Sequence, residues 1–229
     1  MPKAVVLLSG GMDSAVTLYT AARENECYAL SFDYGQKAER ELDFASRIAK
    51  SAGARHIVVK IAMPWKGSAL LDSKMRIPEH RLSKGNKIPS TYVPARNIIF
   101  LSFAVSCAEA VGADKVYIGA HQLDFSNYPD CRDTFFRSFQ DAVNKGTKTG
   151  AEKHGVRIVT PIINMTKREI ILAGIRLGVP FENTWSCYGQ GKTPCGKCES
   201  CMLRAKGFRD AGLDDPLINK KRAKKRRQG

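Results

Sequence analysis

Apolar runs alternate with turn signals along most of the chain. Residues 3–8, apolar after Lys3, are a short run that reads as a buried strand. Residues 14–23 read as a helix and 27–33 as a second strand. Over residues 39–52, Leu42, Ala45, Ile48, Ala49 and Ala52 recur at helical spacing. A third strand is predicted at 55–61, a strongly apolar helix at 98–111 and a fourth strand at 115–119. Phe135, Phe136, Phe139 and Val143 mark the core face of another helix, and 156–160 a fifth strand. Thr166-Lys167-Arg168-Glu169 is a capping-box pattern, opening a helix that runs to about Leu177. Strands that alternate with helices predict an α/β fold around a parallel sheet. No internal repeat is visible. Residues 62–94 break the rhythm: they are long, weakly periodic and rich in Gly, Pro and Lys. A loop of that length inside a compact domain is usually functional, and it is expected to cover a substrate.

Composition bounds the function. The 229 residues, 43% of them apolar, suffice for one large domain or a domain with a small module. No run of about 18 apolar residues offers a membrane-spanning helix. The chain enters its first strand with neither a charged n-region nor a cleavage site, so no signal peptide is read and a cytoplasmic location is expected. The net charge is +15, and the seven Lys and Arg of residues 219–229 leave about +8 on the rest. A basic body suits an anionic substrate such as ATP, and also nucleic acid. The tail reads as a solvated, disordered end or as a nucleic-acid arm.

The first strand leads into Ser9-Gly10-Gly11-Met12-Asp13-Ser14. Two glycines turn the chain and let the backbone approach a ligand. The N–H groups of the turn and of the helix start then point at an anion, and the helix dipole favours its charge. Ser9 and Ser14 add hydroxyls. Asp13 is out of place in an anion site unless a cation is present, and a Mg²⁺ bridging it to phosphate oxygens resolves this. The pattern is not the Gly-Lys-[Ser/Thr] loop of kinases and GTPases.

Seven cysteines fall into two groups. Cys27, Cys107 and Cys131 are scattered and read as small buried apolar residues. Cys187, Cys195, Cys198 and Cys201 are clustered with spacing x7-x2-x2. Four thiolates close a tetrahedral zinc site and leave no position for substrate, so the site is expected to be structural. An iron–sulfur cluster is the competitor. The ferredoxin run, however, continues with a cysteine and a proline where this chain has Met202-Leu203-Arg204-Ala205.

The phosphate loop resembles that of the PP-loop ATP pyrophosphatases, which cleave ATP between its α- and β-phosphates. That resemblance implies a Rossmann-like five-stranded sheet in order 3-2-1-4-5, with the ligand crevice where the order reverses. It also implies that Lys167, after the fifth strand, stands near the phosphates. Otherwise Lys167 is a solvated lysine in a helix's first turn. Loop and cysteine cluster together resemble the 7-cyano-7-deazaguanine synthases, over the chain as far as about Leu217. The motifs that carry the likeness are Phe32-Asp33-Tyr34-Gly35-Gln36, Thr91-Tyr92-Val93-Pro94-Ala95-Arg96-Asn97, Ser186-Cys187-Tyr188 and the stretch from Asp124 to Arg132. Within the last, Tyr128-Pro129-Asp130-Cys131-Arg132 is the most telling.

The resemblance implies the substrates 7-carboxy-7-deazaguanine, ammonia and ATP, with Mg²⁺ and Zn²⁺, and a homodimer that needs neither nucleic acid nor membrane. Leu8, Ser9, Gly10, Gly11, Asp13 and Ser14 are expected to hold ATP and its metal. Asp13 and Lys167 are the expected catalytic pair. Arg96 and Arg132 are candidates for phosphate or carboxylate contacts, and Asp124 and Asp130 for the guanine-like edge or Mg²⁺. Each of the four could instead be a structural ion pair or a loop cap. His121 could contact nucleotide or be a structural histidine; His56, His80 and His154 receive no role. Three parts are expected: residues 1–186 as the ATP-pyrophosphatase domain, 187–218 as the zinc module and 219–229 as the tail. Two other readings remain open. One is a PP-loop enzyme that thiolates or aminates a tRNA base, which the charge favours and the Tyr128–Arg132 motif disfavours. The other is a non-catalytic zinc-ribbon binding module, against which the intact phosphate loop speaks.

Overall fold

In the computed structural model, residues 1–38, 40–80, 87–121, 128–152 and 155–218 are described. Five parallel strands form one sheet in the order β3-β2-β1-β4-β5. They are β1 (Lys3–Leu7), β2 (Glu26–Asp33), β3 (Arg55–Lys60), β4 (Lys115–Tyr117) and β5 (Arg157–Val159). The expected order is therefore the observed one. β1 is central because it is apolar on both faces: Val5 pairs in register with Tyr28 on one side and Val116 on the other. Its alternation divides the core. Val5 and Leu7 join Leu101, Ala104 and Ala108 of α3 (Arg96–Val111) on one face. Ala4 and Val6 join the other face, with residues of α1 (Met12–Ala22), α2 (Arg40–Ser51) and α6 (Lys167–Arg176). Burying both faces of a parallel sheet in this way is what a continuous apolar strand requires.

Local signals set several boundaries. The capping box at α6 is present: Glu169 N–H donates to Thr166 Oγ1 (3.3 Å) and Thr166 N–H to Glu169 Oε2 (2.7 Å). β4 stops at Tyr117 rather than at the expected residue 119. The reason is Gly119, where an added Cβ would lie 2.9 Å from the Asp13 carbonyl and the Ser14 nitrogen. The chain past β4 is thus pressed against the start of α1, and only a residue without a side chain fits there.

Three further α-helices are α4 (Asp133–Gly146), the short α5 (Lys148–Glu152) and α7 (Glu199–Asp210), beside single 3-10 turns at Pro129–Cys131 and Phe181–Asn183. The hydrophobic pattern does not predict α7. Its buried face is Glu199, Cys201, Arg204, Gly207 and Phe208, with one large apolar side chain among them. Arg204 is fully enclosed and satisfied by Asp215 (2.7 and 2.8 Å), the Phe181 carbonyl (3.0 Å) and Thr184 Oγ1 (2.8 Å). Residues 62–94, where described, pack rather than dangle. Met63, Ala69, Leu70 and Val93 are buried, and Glu79 bridges to Cys198 of the cysteine cluster.

Candidate functional site

The loop after β1 folds as its residue types demand. Gly10 takes φ +80°, and a Cβ there would meet the Glu41 carbonyl at 2.4 Å and the Ala45 nitrogen at 2.8 Å. The glycine therefore lets α2 press against the loop. Ser9 and Ser14 close the turn, with Oγ atoms 3.1 Å apart and the Ser9 N–H donating to Ser14 Oγ (3.2 Å). The Gly10 carbonyl accepts the Trp185 N–H (2.8 Å), which ties the loop to the segment entering the cysteine cluster. Leu8 holds the loop's base, its carbonyl accepting from Ser31 Oγ (2.6 Å).

Asp13, Lys167 and His121 meet at the start of α1. Lys167 Nζ lies 3.0 and 2.9 Å from the two Asp13 carboxylate oxygens and 2.8 Å from His121 Nε2. His121 Nε2 is 3.2 Å from Asp13 Oδ2. Burial opposes ionisation of Asp13, but Lys167 and then His121 beside it hold the carboxyl well below the usual carboxylate range. The sequence expected Asp13 and Lys167 at one site, and they are one site. Lys167 is aimed by α7: a Cβ at Gly207 would meet its Cγ at 2.6 Å, so the missing side chain makes room for the lysine stem.

A cavity of about 280 Å³ opens beside this cluster. The loop residues Leu8, Ser9, Gly11, Asp13 and Ser14 line it, together with Lys167 and His121. Aromatic and charged groups form the rest of its wall. Arg96, the first residue of α3, stands beside the Tyr34 hydroxyl, and the two groups favour each other's charged forms. Tyr128, Cys131 and Tyr188 line the same space. Burial raises the Tyr34 phenol, with Arg96 pulling it back, so the tyrosine stays neutral. Two carboxylates also face the cavity, Glu41 from α2 and Glu199 from α7. Burial pushes Glu41 up to about 7; Arg96 lowers it and Cys187 raises it.

The other expected substrate contacts stand elsewhere. Asp130 Oδ2 accepts the Asn97 backbone N–H (3.1 Å) and Asn97 Nδ2 donates to the Asp130 carbonyl (3.0 Å), so the pair tethers the start of α3 to the loop before α4. At this point Tyr128 and Cys131 form the cavity wall, while Asp130 turns away from it. Arg132 is exposed, just before α4. Asp124 lies outside the described residues. Sequence reasoning missed Glu41, Glu199 and Cys131. Glu41 reads as the polar face of an amphipathic helix, and Glu199 as a spacer between two cysteines. Only the fold turns them inward.

Cys187, Cys195, Cys198 and Cys201 converge, their sulfurs all within 4.8 Å of one another. Cys195 Sγ and Cys201 Sγ are 4.0 Å apart. A zinc ion bonded to four sulfurs at about 2.3 Å sets them a little under 4 Å apart, so the donor set fits it. Backbone N–H groups surround the sulfurs: those of Gly189 and Cys195 donate to Cys187 Sγ (both 3.3 Å), and that of Cys198 to Cys195 Sγ (3.3 Å). Such donors favour thiolate over thiol. Phe44, Trp185 and Leu217 pack around the cluster.

A parallel sheet in this order, with a Ser-Gly-Gly-x-Asp-Ser loop at the reversal between β1 and β4, makes the molecule a PP-loop ATP pyrophosphatase in class. The model of the family described as "Queuosine biosynthesis protein QueC" matches residues 3–212, and the chain belongs to that family. It is 51% identical over 221 residues to the 7-cyano-7-deazaguanine synthase of Trichodesmium erythraeum, covering 94% of this chain and 100% of the relative. The protein of the same description from Trichormus variabilis is 50% identical over 220 residues, with 94% and 97% covered. That from Leptospira interrogans is 47% identical over 217 residues, with 93% and 89% covered. Among the described residues no helix is long and apolar enough to cross a membrane.

Proposed function

We propose that this chain converts 7-carboxy-7-deazaguanine and ammonia to 7-cyano-7-deazaguanine, using ATP to activate the carboxyl oxygen twice. The observation that carries the reading is the Asp13–Lys167–His121 cluster at the phosphate loop, opening on one cavity with Arg96. A carboxylate resists ammonia because its oxygen is a poor leaving group. Adenylylation makes that oxygen part of AMP, ammonia displaces it, and the amide results. A second adenylylation, of the amide oxygen, lets AMP leave again and the nitrile form. Both steps activate an oxygen on the same carbon, so one cavity serves both.

The chain's own residues supply position and charge. The N–H groups of the loop and of the α1 start hold the leaving pyrophosphate. Lys167 places its ammonium where charge builds on the α-phosphorus. Asp13 shares that lysine here; it would hold Mg²⁺ beside bound ATP, where the ion would neutralise phosphate charge. Arg96, oriented by the Tyr34 hydroxyl, takes the substrate carboxylate. The zinc site has no open position and serves the architecture of α7, which sets both Lys167 and Glu199. The reading includes a cytoplasmic location, since a thiolate zinc site persists in a reducing compartment, and a homodimer, which is what the resemblance of the motifs to the 7-cyano-7-deazaguanine synthases implies.

The test is the product set. Incubation with ATP, ammonium and the acid should yield the nitrile, with AMP and pyrophosphate each at twice the nitrile. ADP as a product, or one AMP per nitrile, would overturn the mechanism.

A further inference from the structure

The reaction just proposed brings together three ligands. Two of them, the triphosphate and the substrate carboxylate, are anions, and the site offers them the loop N–H groups, Lys167 and Arg96. The third is ammonia, which near neutral pH exists in water as a cation. The cationic groups that hold those anions repel it, so a carboxylate has to receive it. Three carboxylates line the cavity wall among the described residues: Asp13, Glu41 and Glu199. Asp13 is occupied by Lys167 and His121. Glu199 leaves the cysteine cluster at the start of α7 and acts electrostatically on Tyr128 and Tyr188.

Glu41 stands differently. Its own carbonyl touches Gly10, so its main chain rests on the phosphate loop itself. Its carboxylate lies within electrostatic reach of Arg96, and among the described residues it receives no hydrogen bond. Arg96 is engaged instead by Tyr34. A carboxylate that faces a cavity, adjoins the loop and is left unbonded by its neighbours is an open acceptor for N–H groups.

Resting on the proposed reaction, we propose that the Glu41 carboxylate docks the ammonia nucleophile. It accepts N–H hydrogen bonds and so turns the nitrogen lone pair toward the activated carboxyl carbon. The lone pair forms the new C–N bond, the C–O bond to AMP breaks, and AMP departs with that electron pair. The docked ammonium first loses one proton to water, which frees that lone pair, and the attacking nitrogen loses a second proton to water once the C–N bond has formed, so the neutral amide remains. The position beside the loop favours ammonia over the guanine-like edge of the substrate. The N–H groups of that edge lie across the ring from the reacting carboxyl, whereas the Glu41 main chain rests on the phosphate loop, where that carboxyl is activated.

The two halves of the reaction separate these roles, because acid to amide consumes ammonia and amide to nitrile does not. Both are followed with ATP at saturation in the wild type, Glu41→Gln and Glu41→Asp, with ammonium titrated in the first half and synthetic amide in the second. Loss of a hydrogen bond to a charged acceptor predicts an ammonium KM raised about tenfold or more in Glu41→Gln. The amide KM should stay within about threefold of wild type, by the same scale of effect. Glu41→Asp, which keeps a carboxylate, should fall between, and it carries the test alone if Glu41→Gln does not fold. An unchanged ammonium KM overturns the assignment. So does a parallel rise in the amide KM, which would mean that Glu41 reads the base or supports the loop. Failure of the wild type to make amide would instead overturn the proposed reaction.

Discussion

Replacing Lys167 by Met removes one member of the cluster that joins α1, α6 and the end of β4. The lysine side chain is 10% exposed and the Asp13 side chain 26%, so the charges meet in a partly desolvated place. Unit charges about 4 Å apart interact by roughly 4 kcal/mol at an effective dielectric of about 20. Removing one partner of a buried pair costs about 3–5 kcal/mol, because the other is left uncompensated. His121 remains beside Asp13 and offsets part of this, so Lys167→Met should cost about 3 kcal/mol at pH 7. Asp13→Asn with Lys167→Met removes both charges and should cost clearly less than the two single losses together. Urea unfolding of zinc-loaded protein measures all four species of the cycle.

The pH dependence has a definite sign. The Asp13 carboxyl is held below its unfolded value of 3.8, so its contribution is fully present above that value. It is lost as pH falls through the lower folded value. The difference between wild type and Lys167→Met should therefore shrink as pH falls, beginning where Asp13, left without its lysine, takes up a proton in the variant. A cost below about 1 kcal/mol for Lys167→Met, or strict additivity in the cycle, would refute the pairing as a stabilising interaction.

Three further outcomes are expected. Gly10→Ala forces an L-residue to φ +80° against the Glu41 carbonyl and should abolish ATP-dependent pyrophosphate release while zinc content stays at wild type; normal release would show that the loop tolerates displacement of α2. Cys198→Ala should lose about one zinc per chain by metal analysis, together with thermal stability, whereas a brown wild-type protein absorbing near ~400 nm would point to iron–sulfur instead. Arg204→Met should cost about 3 kcal/mol or more in urea unfolding, since Asp215 is left buried and unpaired, while Lys206→Ala, which breaks an exposed pair with Asp210, should stay within about 0.5 kcal/mol.

Much of this protein was legible along the chain because the relevant physics is local. Apolar runs mark strands buried on both faces, and Thr166 with Glu169 marks a helix start within one turn. The Ser9–Ser14 loop and the cysteine spacing each place their groups within a few residues of one another. Resemblance supplied the strand order, which periodicity alone does not contain. What stayed hidden depends on long-range contact. Resemblance alone paired Lys167 with Asp13 across 154 positions of sequence; that His121 joins them from a third segment is decided by the fold. Asp130 looked like a ligand for a base edge, yet its carboxylate serves Asn97 of α3. α7 escaped the hydrophobic pattern because its inner face is thiol, glycine and a satisfied arginine rather than aliphatic. Glu41 sits on a helix whose pattern says only that one face is polar; the fold turns that residue into the cavity because Gly10 lets α2 close on the phosphate loop. Side-chain types and spacing determine what local backbone can form, whereas the direction a polar group faces is decided by which distant segment packs against it.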